Sequence, residues 1–306
     1  MAMTHATDVQ VPQAGAQFRG KVLDVVQWVL VVAIVLVALL LPLTGTAAAS
    51  VVLPLTIPFA FLHGLRRYGW RRFLTFFVVT FVVSNFFENL SVETGFPFGD
   101  YHYNGDLKFL HVPILVGPVY FGLGYVSWLC ASIVLDRADE RLDRRERVGK
   151  VNLVILPMLA AAVITMFDVA ADAQASTVEG NWTWHDGGGV FGVPYTNYLG
   201  WWFVTYLYFQ ILAFILGRAQ SGAPQGIRTV NDVSLVQPTL IYASLGLSFV
   251  PYFIGADTYT VVDESGAVWS TAAINETAMV VGLFTVVVIA FLALAKIARG
   301  DVGRRG

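Results

Sequence analysis

The sequence carries a single cysteine, Cys130, and it lies inside an apolar run. A disulfide scaffold and a cysteine-ligated metal site are therefore both excluded. Charge is scarce too. Asp, Glu, Lys and Arg make up 13% of the 306 residues, about half of the roughly 25% usual in a soluble domain. The formal net charge is -2 and no basic patch is interleaved with aromatics, so nothing points to a nucleic-acid binder. The five histidines (His5, His63, His102, His111 and His185) form no HxxH or HxxxH pair. That absence argues against histidine-box di-iron hydroxylases and desaturases.

What the sequence has in abundance is hydrophobicity, at 56% of residues with a mean hydropathy of +0.65. A spanning helix needs about 20 apolar residues. Stretches near that length occur at roughly 22–43, 47–65, 73–93, 112–135, 151–172, 198–217, 235–254 and 271–297. Lipid offers no partners to a backbone, so each is read as a helix. The expected fold is an all-α, polytopic membrane bundle of about eight transmembrane helices. Pro54, Pro58, Pro113, Pro118, Pro238 and Pro251 interrupt several spans, which membrane helices tolerate. The domain reading is a single transmembrane unit over 22–297, between cytoplasmic tails at 1–21 and 298–306.

Basic residues set the orientation, because Lys and Arg accumulate on the cytoplasmic side. Alternate loops hold Arg66, Arg67, Arg71 and Arg72, then Arg137, Arg141, Arg144, Arg145, Arg147 and Lys150, then Arg218 and Arg228. Arg19 and Lys21 precede the first span, and Lys296, Arg299, Arg304 and Arg305 end the last. With both termini inside, 18 of the 19 basic residues are cytoplasmic and Lys108 alone is not. The first span and the following Ala47-Ala48-Ala49 also fit a cleaved signal peptide. The length of that run favours a retained helix. The mixed-sign loop Asp136–Lys150 reads as a solvated connector, and Lys296 as an interfacial anchor.

The external side is chemically richer. The third span ends in Asn85, Glu88 and Glu93, the fifth in Asp168 and Asp172, and the eighth carries Glu276 near its outer end. Asp168 and Asp172 are four residues apart and share a helix face. Acids inside a span usually face a protein interior or a wet cavity. Carboxyl groups crowded together out of water favour the protonated form, which a general acid requires. The competing reading places these residues in the headgroup region, among the aromatics of an ordinary interfacial belt. Against it stand the loops beyond, which are rich in Gly, Pro, Trp and Tyr and have the composition of packed structure. They look faintly alike, each pairing an acidic helix end with a Phe/Gly/Pro/Tyr segment. His102, His111 and His185 read as surface residues, and no metal site is expected.

These loops carry a resemblance. The segment Glu93-Thr94-Gly95-Phe96-Pro97-Phe98-Gly99-Asp100-Tyr101-His102-Tyr103 is similar to the G-x-P-F-G-x-Y-x-Y motif of a family of membrane carotenoid-biosynthesis proteins. Trp182-x-Trp184 followed by Phe191-Gly192-Val193-Pro194-x-x-Asn197-x-x-Gly200-Trp201 resembles its second motif. The resemblance spans roughly 50–295. One departure is Ala173 after Asp172, where the family often has Asp-Pro. The family includes carotenoid hydratases acting on lycopene-like and bisanhydrobacterioruberin ends.

The resemblance implies a hydro-lyase that adds water to the terminal C=C of an acyclic carotenoid, giving a tertiary alcohol without a cofactor. Its implied partners are the membrane-embedded carotenoid, the bilayer and other enzymes of the pathway. Asp168 or Glu88 is the expected proton donor to the alkene, and Asp172 or Glu93 the group that orients and deprotonates water. Tyr101, Tyr103, Phe98, Trp182, Trp184, Asn197, Asn85 and Glu276 are the expected substrate-binding residues. Aromatic faces would steady the carbocation by cation–π attraction. A carotenoid is about as long as the roughly 30 Å hydrocarbon core, so its end group would lie near the interface, where water enters. The other readings are a proton-coupled transporter, a non-catalytic carotenoid-binding subunit, and another step, such as isomerisation, on the same pigments.

Overall fold

Lipid strips the backbone of solvent partners, and the chain answers with helices wherever it is apolar for long enough. The computed structural model describes residues 13–222 and 232–300. His5, Arg228, Arg304 and Arg305 lie outside these residues, as do most of the two proposed tails. In chain order the elements are α1 (Gln13–Leu40), α2 (Ala49–Tyr68), α3 (Trp70–Thr94), β1 (Tyr101–Tyr103), β2 (Lys108–Phe109), β3 (Val112–Pro113) and α4 (Val116–Val134). They continue with α5 (Arg147–Ala173), β4 (Trp182–Trp184), α6 (Tyr195–Gly222), α7 (Asp232–Leu247) and α8 (Phe249–Gly255). Last come β5 (Thr260–Val262), β6 (Val268–Ser270), α9 (Thr271–Val281) and α10 (Val287–Ala298). A short 3-10 turn, Leu41–Thr44, ends α1. π-helical turns extend α5 over Gln174–Val178 and join α9 to α10 over Gly282–Val286.

Among the described residues, eight helical segments are long and apolar enough to cross a membrane: Gly20–Thr44, Ala49–Tyr68, Trp70–Thr94, Val116–Val134, Arg147–Val178, Tyr195–Gly222, Ser234–Gly255 and Thr271–Ala298. Each coincides with an expected span to within a few residues. Their outward faces remain apolar, with Val29 and Leu36 on α1, Val82 and Phe86 on α3, and Phe291 on α10 all exposed. Such faces would be a liability in water and are at home against lipid.

The fourth span is the axis of the bundle and packs against α2, α3, α5, α7 and α10. Glycines let its neighbours approach closely. A methyl group added at Gly122 would sit 2.2 Å from Thr56 Oγ1 and 2.9 Å from the Ile57 backbone nitrogen on α2. Gly122→Ala is therefore expected to destabilise the bundle by about 1–3 kcal/mol through overpacking. Helix propensity alone would gain about 1 kcal/mol. Thermal unfolding in detergent reads the sign, and an unchanged or raised Tm would show that the helices separate freely here.

The loop Asp136–Lys150 is not the expected solvated connector. Asp139 and Leu142 are completely buried. Arg67, also buried, donates to Asp139 Oδ2 from Nε at 2.9 Å and from Nη2 at 2.7 Å, and reaches Glu140 Oε1 at 2.8 Å. Tyr68 and Ser132 also donate to the Asp139 carboxylate, and the Trp128 indole N–H donates to Tyr68 Oη at 3.1 Å. Burial opposes ionisation of Asp139. The positive charge of Arg67 and these hydrogen bonds outweigh it, and hold its pKa below the ordinary carboxylate range. The loop's mixed charges serve an internal network because an ion pair out of water survives only with its hydrogen bonds filled. Lys296 is held to Asp136 Oδ1 at 2.6 Å.

At the opposite end of the bundle, β1 and β4 pair antiparallel, with Tyr101 opposite Trp184, His102 opposite Thr183 and Tyr103 opposite Trp182. The two loops that looked alike in composition thus meet as one ribbon. β2 pairs with β3, and β5 with β6.

Candidate active site

Side chains alternate across a strand, so residues at every second position of the ribbon share a face. Tyr101, Tyr103, Trp182 and Trp184 line a cavity of about 600 Å³ between the ribbon and the helix ends. His102 is on the other face. Its Nδ1 is hydrogen-bonded to His185 Nε2 at 2.7 Å, and His185 Nδ1 to Asp100 Oδ1 at 2.9 Å. His111 lies elsewhere, 3.3 Å from Glu93. Among the described residues, no group of three or more His, Cys, Asp or Glu is arranged to hold a metal.

The loop between α3 and β1 is drawn tight. Ser91 Oγ accepts the Phe98 amide at 3.1 Å and donates to the Gly99 carbonyl at 3.0 Å, while Thr196 Oγ1 donates to the Phe98 carbonyl at 2.9 Å. Gly99 has φ +131°, and a side chain there would press on Pro194 and Trp184. Phe98 is seated against α6 because Gly200 has no Cβ; one would lie 2.6 Å from the Phe98 ring. These contacts explain the spacing of the G-x-P-F-G and N-x-x-G segments.

Four acidic residues line the cavity, Glu179 near its rim and three others deeper. Glu88, from α3, is buried and accepts hydrogen bonds from three phenols: Tyr120 to Oε1 at 2.7 Å, and Tyr103 at 3.0 Å and Tyr101 to Oε2. Burial, with the Glu88 charge beside them, raises the pKa of Tyr101 and Tyr103, so both remain protonated donors. Asp168 and Asp172, from one face of α5, are buried and joined by a single donor. Asn197 Nδ2 bonds Asp168 Oδ2 at 3.0 Å and also Asp172 Oδ2. Asp172 Oδ1 is buried and has no hydrogen-bond partner, and the same holds for the Trp184 indole N–H. The side chains of Trp182 and Trp184 both act on Asp172 as hydrogen-bond donors, the Trp184 contact being looser than an ordinary bond. A donor and an acceptor left open in one cavity match a small hydroxylic ligand, which offers both functions.

Aromatic faces enclose the acids. Tyr101 lies 4.8 Å from Trp184 between ring centroids, and Tyr120 stacks on Trp201 at 4.4 Å. Of the residues named from sequence, Glu88, Asp168, Asp172, Phe98, Tyr101, Tyr103, Trp182, Trp184 and Asn197 line the cavity. Three others do not. Glu93 is five residues beyond Glu88, a rotation of about 140° from it at 3.6 residues per turn. It is solvent-exposed and paired with His111. Glu276 is exposed on α9, while its neighbour Asn275 turns inward to Gln174. Asn85 is buried beneath Gly117 and spends its amide on the Phe81 carbonyl at 2.8 Å. Sequence reasoning missed Tyr120, one of two tyrosines in the fourth span, with nothing local to set it apart from Tyr125.

Eight spans with an acid-bearing, aromatic-walled cavity at one end of the bundle define a multi-pass membrane protein. The family model for carotenoid biosynthesis proteins matches residues 25–262, and the chain belongs to that family. Comparison with curated proteins and with solved structures gives no match.

Proposed function

We propose that the protein adds water to the terminal C=C of an acyclic carotenoid by acid catalysis, producing a tertiary alcohol. The observation that carries this reading is the convergence of Glu88, Asp168 and Asp172 in one buried cavity walled by aromatic rings. In the reaction, a carboxyl of the Asp168–Asp172 pair gives its proton to the less substituted alkene carbon. The tertiary cation that forms faces Tyr101, Trp184 and Trp201, whose ring faces attract it. Water held at the open Asp172 Oδ1 and the Trp184 N–H attacks the cation and returns one proton to the pair. Atoms balance as alkene plus water, and no electrons are exchanged.

Glu88 differs from the aspartates because three phenols already occupy its oxygens. Its role is to fix Tyr101, Tyr103 and Tyr120 around the reacting end. The single transmembrane unit over 22–297, with both termini cytoplasmic and the cavity on the extracytoplasmic side, is part of the same proposal and rests on the distribution of Lys and Arg.

Expression in a lycopene-producing bacterium, followed by mass analysis of the pigments, tests the reading. The expected product is heavier than its precursor by one water, or by two where both ends react. Unchanged pigment masses with every acyclic carotenoid supplied would overturn hydratase activity. Isomerised pigment of unchanged mass would assign a different step.

A further inference from the structure

Between β1 and α4 the chain makes a small hairpin with an apolar surface. Leu107, Phe109, Leu110, Ile114 and Leu115 are all exposed, Leu107 at 74% and Leu110 at 71%. Phe109 pairs with Val112, so Leu110 and His111 form a two-residue turn. Leu110 has φ +57°, a conformation that such turns usually give to glycine and that a bulky side chain seldom adopts. A leucine thus stands at the tip against its backbone preference, and nothing in the chain covers it. The root of the hairpin is part of the fold. Val112 is fully buried, and Asn104, Gly105, Pro113, Leu115 and Val116 line the cavity.

The tip is fastened to the side of α3. The His111 amide donates to Asn89 Oδ1 at 3.0 Å, and His111 Nε2 lies 3.3 Å from Glu93 Oε1. Val82, Phe86, Asn89 and Glu93 follow at intervals of four, three and four residues, the spacing of one helix face. On that face Val82 and Phe86 are exposed and apolar, part of the surface that meets lipid. The 25 residues of α3 span about 37 Å at 1.5 Å per residue, close to the roughly 40–45 Å of a bilayer with its headgroups. Asn89 lies five residues before Thr94, where α3 ends, so it is about 7–8 Å short of the helix end. Headgroups give way to hydrocarbon at about this depth.

We propose that this hairpin is seated in the leaflet at the cavity end of the bundle, with Leu107, Phe109 and Leu110 among the acyl chains just below the headgroups. Lipid is the occupant because the tip is laid on a stripe of α3 that faces lipid and extends it with apolar side chains. The charges of the segment turn elsewhere. Lys108 Nζ donates to the Tyr103 carbonyl in the ribbon, His111 faces Glu93, and Asp106 stays at the root. Leu115, exposed and also part of the cavity lining, then separates the cavity from acyl chains. The inference stands apart from the hydratase reading, since it concerns the outer surface of the hairpin and not the acids.

The full-length protein in phosphatidylcholine nanodiscs, where both faces meet solvent, tests this with environment-sensitive fluorophores on Phe109→Cys and Leu110→Cys. Native Cys130 is buried and does not compete for the label while the protein is folded. The two quenchers are a lipid carrying a nitroxide high on its acyl chain, and aqueous iodide. Phe86→Cys on α3 gives the membrane reference, and Asp186→Cys, exposed beyond the ribbon, the aqueous one. Labels at 109 and 110 are expected to match the label at 86. Their quenching by the nitroxide lipid is several-fold above that of the label at 186, and their quenching by iodide several-fold below. Iodide quenching equal to that at 186, with none by the nitroxide lipid, would place the hairpin in water and overturn the proposal. Protection from both quenchers, together with a dimer in detergent, would assign the surface to a second copy of the chain and overturn it equally. If either labelled variant fails to fold, Leu107→Cys replaces it and is read against the same two references.

Discussion

Asp168→Asn is expected to lower the rate of water addition by about 10²–10⁴-fold, the range for loss of a positioned general acid or base. The substitution keeps the volume of a buried side chain and removes only its transferable proton. Asn197 retains Asp172 as an acceptor, so the cavity keeps its shape. Pigment turnover in a carotenoid-producing host, measured at matched protein level, gives the rate, and thermal unfolding in detergent shows that the fold is intact. Full activity with an unchanged Tm would remove Asp168 from the role of acid. Glu88→Gln probes a different function. Glutamine keeps one carbonyl acceptor and presents an amide donor where a phenol donates, so it is expected to disorder Tyr101 and Tyr103 and to weaken substrate binding along with turnover.

The largest loss of stability is expected at the other end of the bundle. Asp139→Ala leaves the Arg67 guanidinium buried and stripped of its main partner, a defect that costs about 3–5 kcal/mol when one half of a buried pair is removed. A fall in Tm measured in detergent checks it. Replacing both members with apolar residues, as in Arg67→Met with Asp139→Leu, is expected to recover much of the loss, because no charge then remains out of water. A Tm unmoved by Asp139→Ala would show that solvent reaches the pair.

Most of the bundle was legible in the sequence because lipid enforces one simple rule: a run of about 20 apolar residues must be a helix. All eight spans followed from it. What escaped are features that depend on contacts between distant residues. Asp139 looks like any loop acid until Arg67, 72 residues earlier, is brought beside it, so in sequence a buried clasp has the look of a solvated connector. Glu93 and Glu276 lie near helix ends at the depth of the cavity residues and look the same in sequence. Depth is visible in hydropathy, but direction around a helix whose outer face is also apolar is not. Asp168 and Asp172 stand out by their i, i+4 spacing, which survives that ambiguity. Tyr120 and the walls on α2 carry no local signal, since Leu53 and Pro54 look like any residues of a span. The motif segments were recognisable from their Gly, Pro and aromatic spacing, and the reason for that spacing emerged only when Gly200 was seen to seat Phe98.

The ribbon that brings the two motifs together has only three paired positions, and its alternation carries a consequence for alignment. Sliding one strand past the other by a single residue would turn His102 or Thr183 toward the acids and swing phenols or indoles out to solvent. Bonds at both ends oppose such a slip: the His185 amide to the Asp100 carbonyl at 3.0 Å, and the Asn104 amide to the Asn181 carbonyl at 3.1 Å. The exposed chain of Asp100, His185 and His102 then acts as a registration pin for the strands, holding the opposite, inward face in step from outside the cavity.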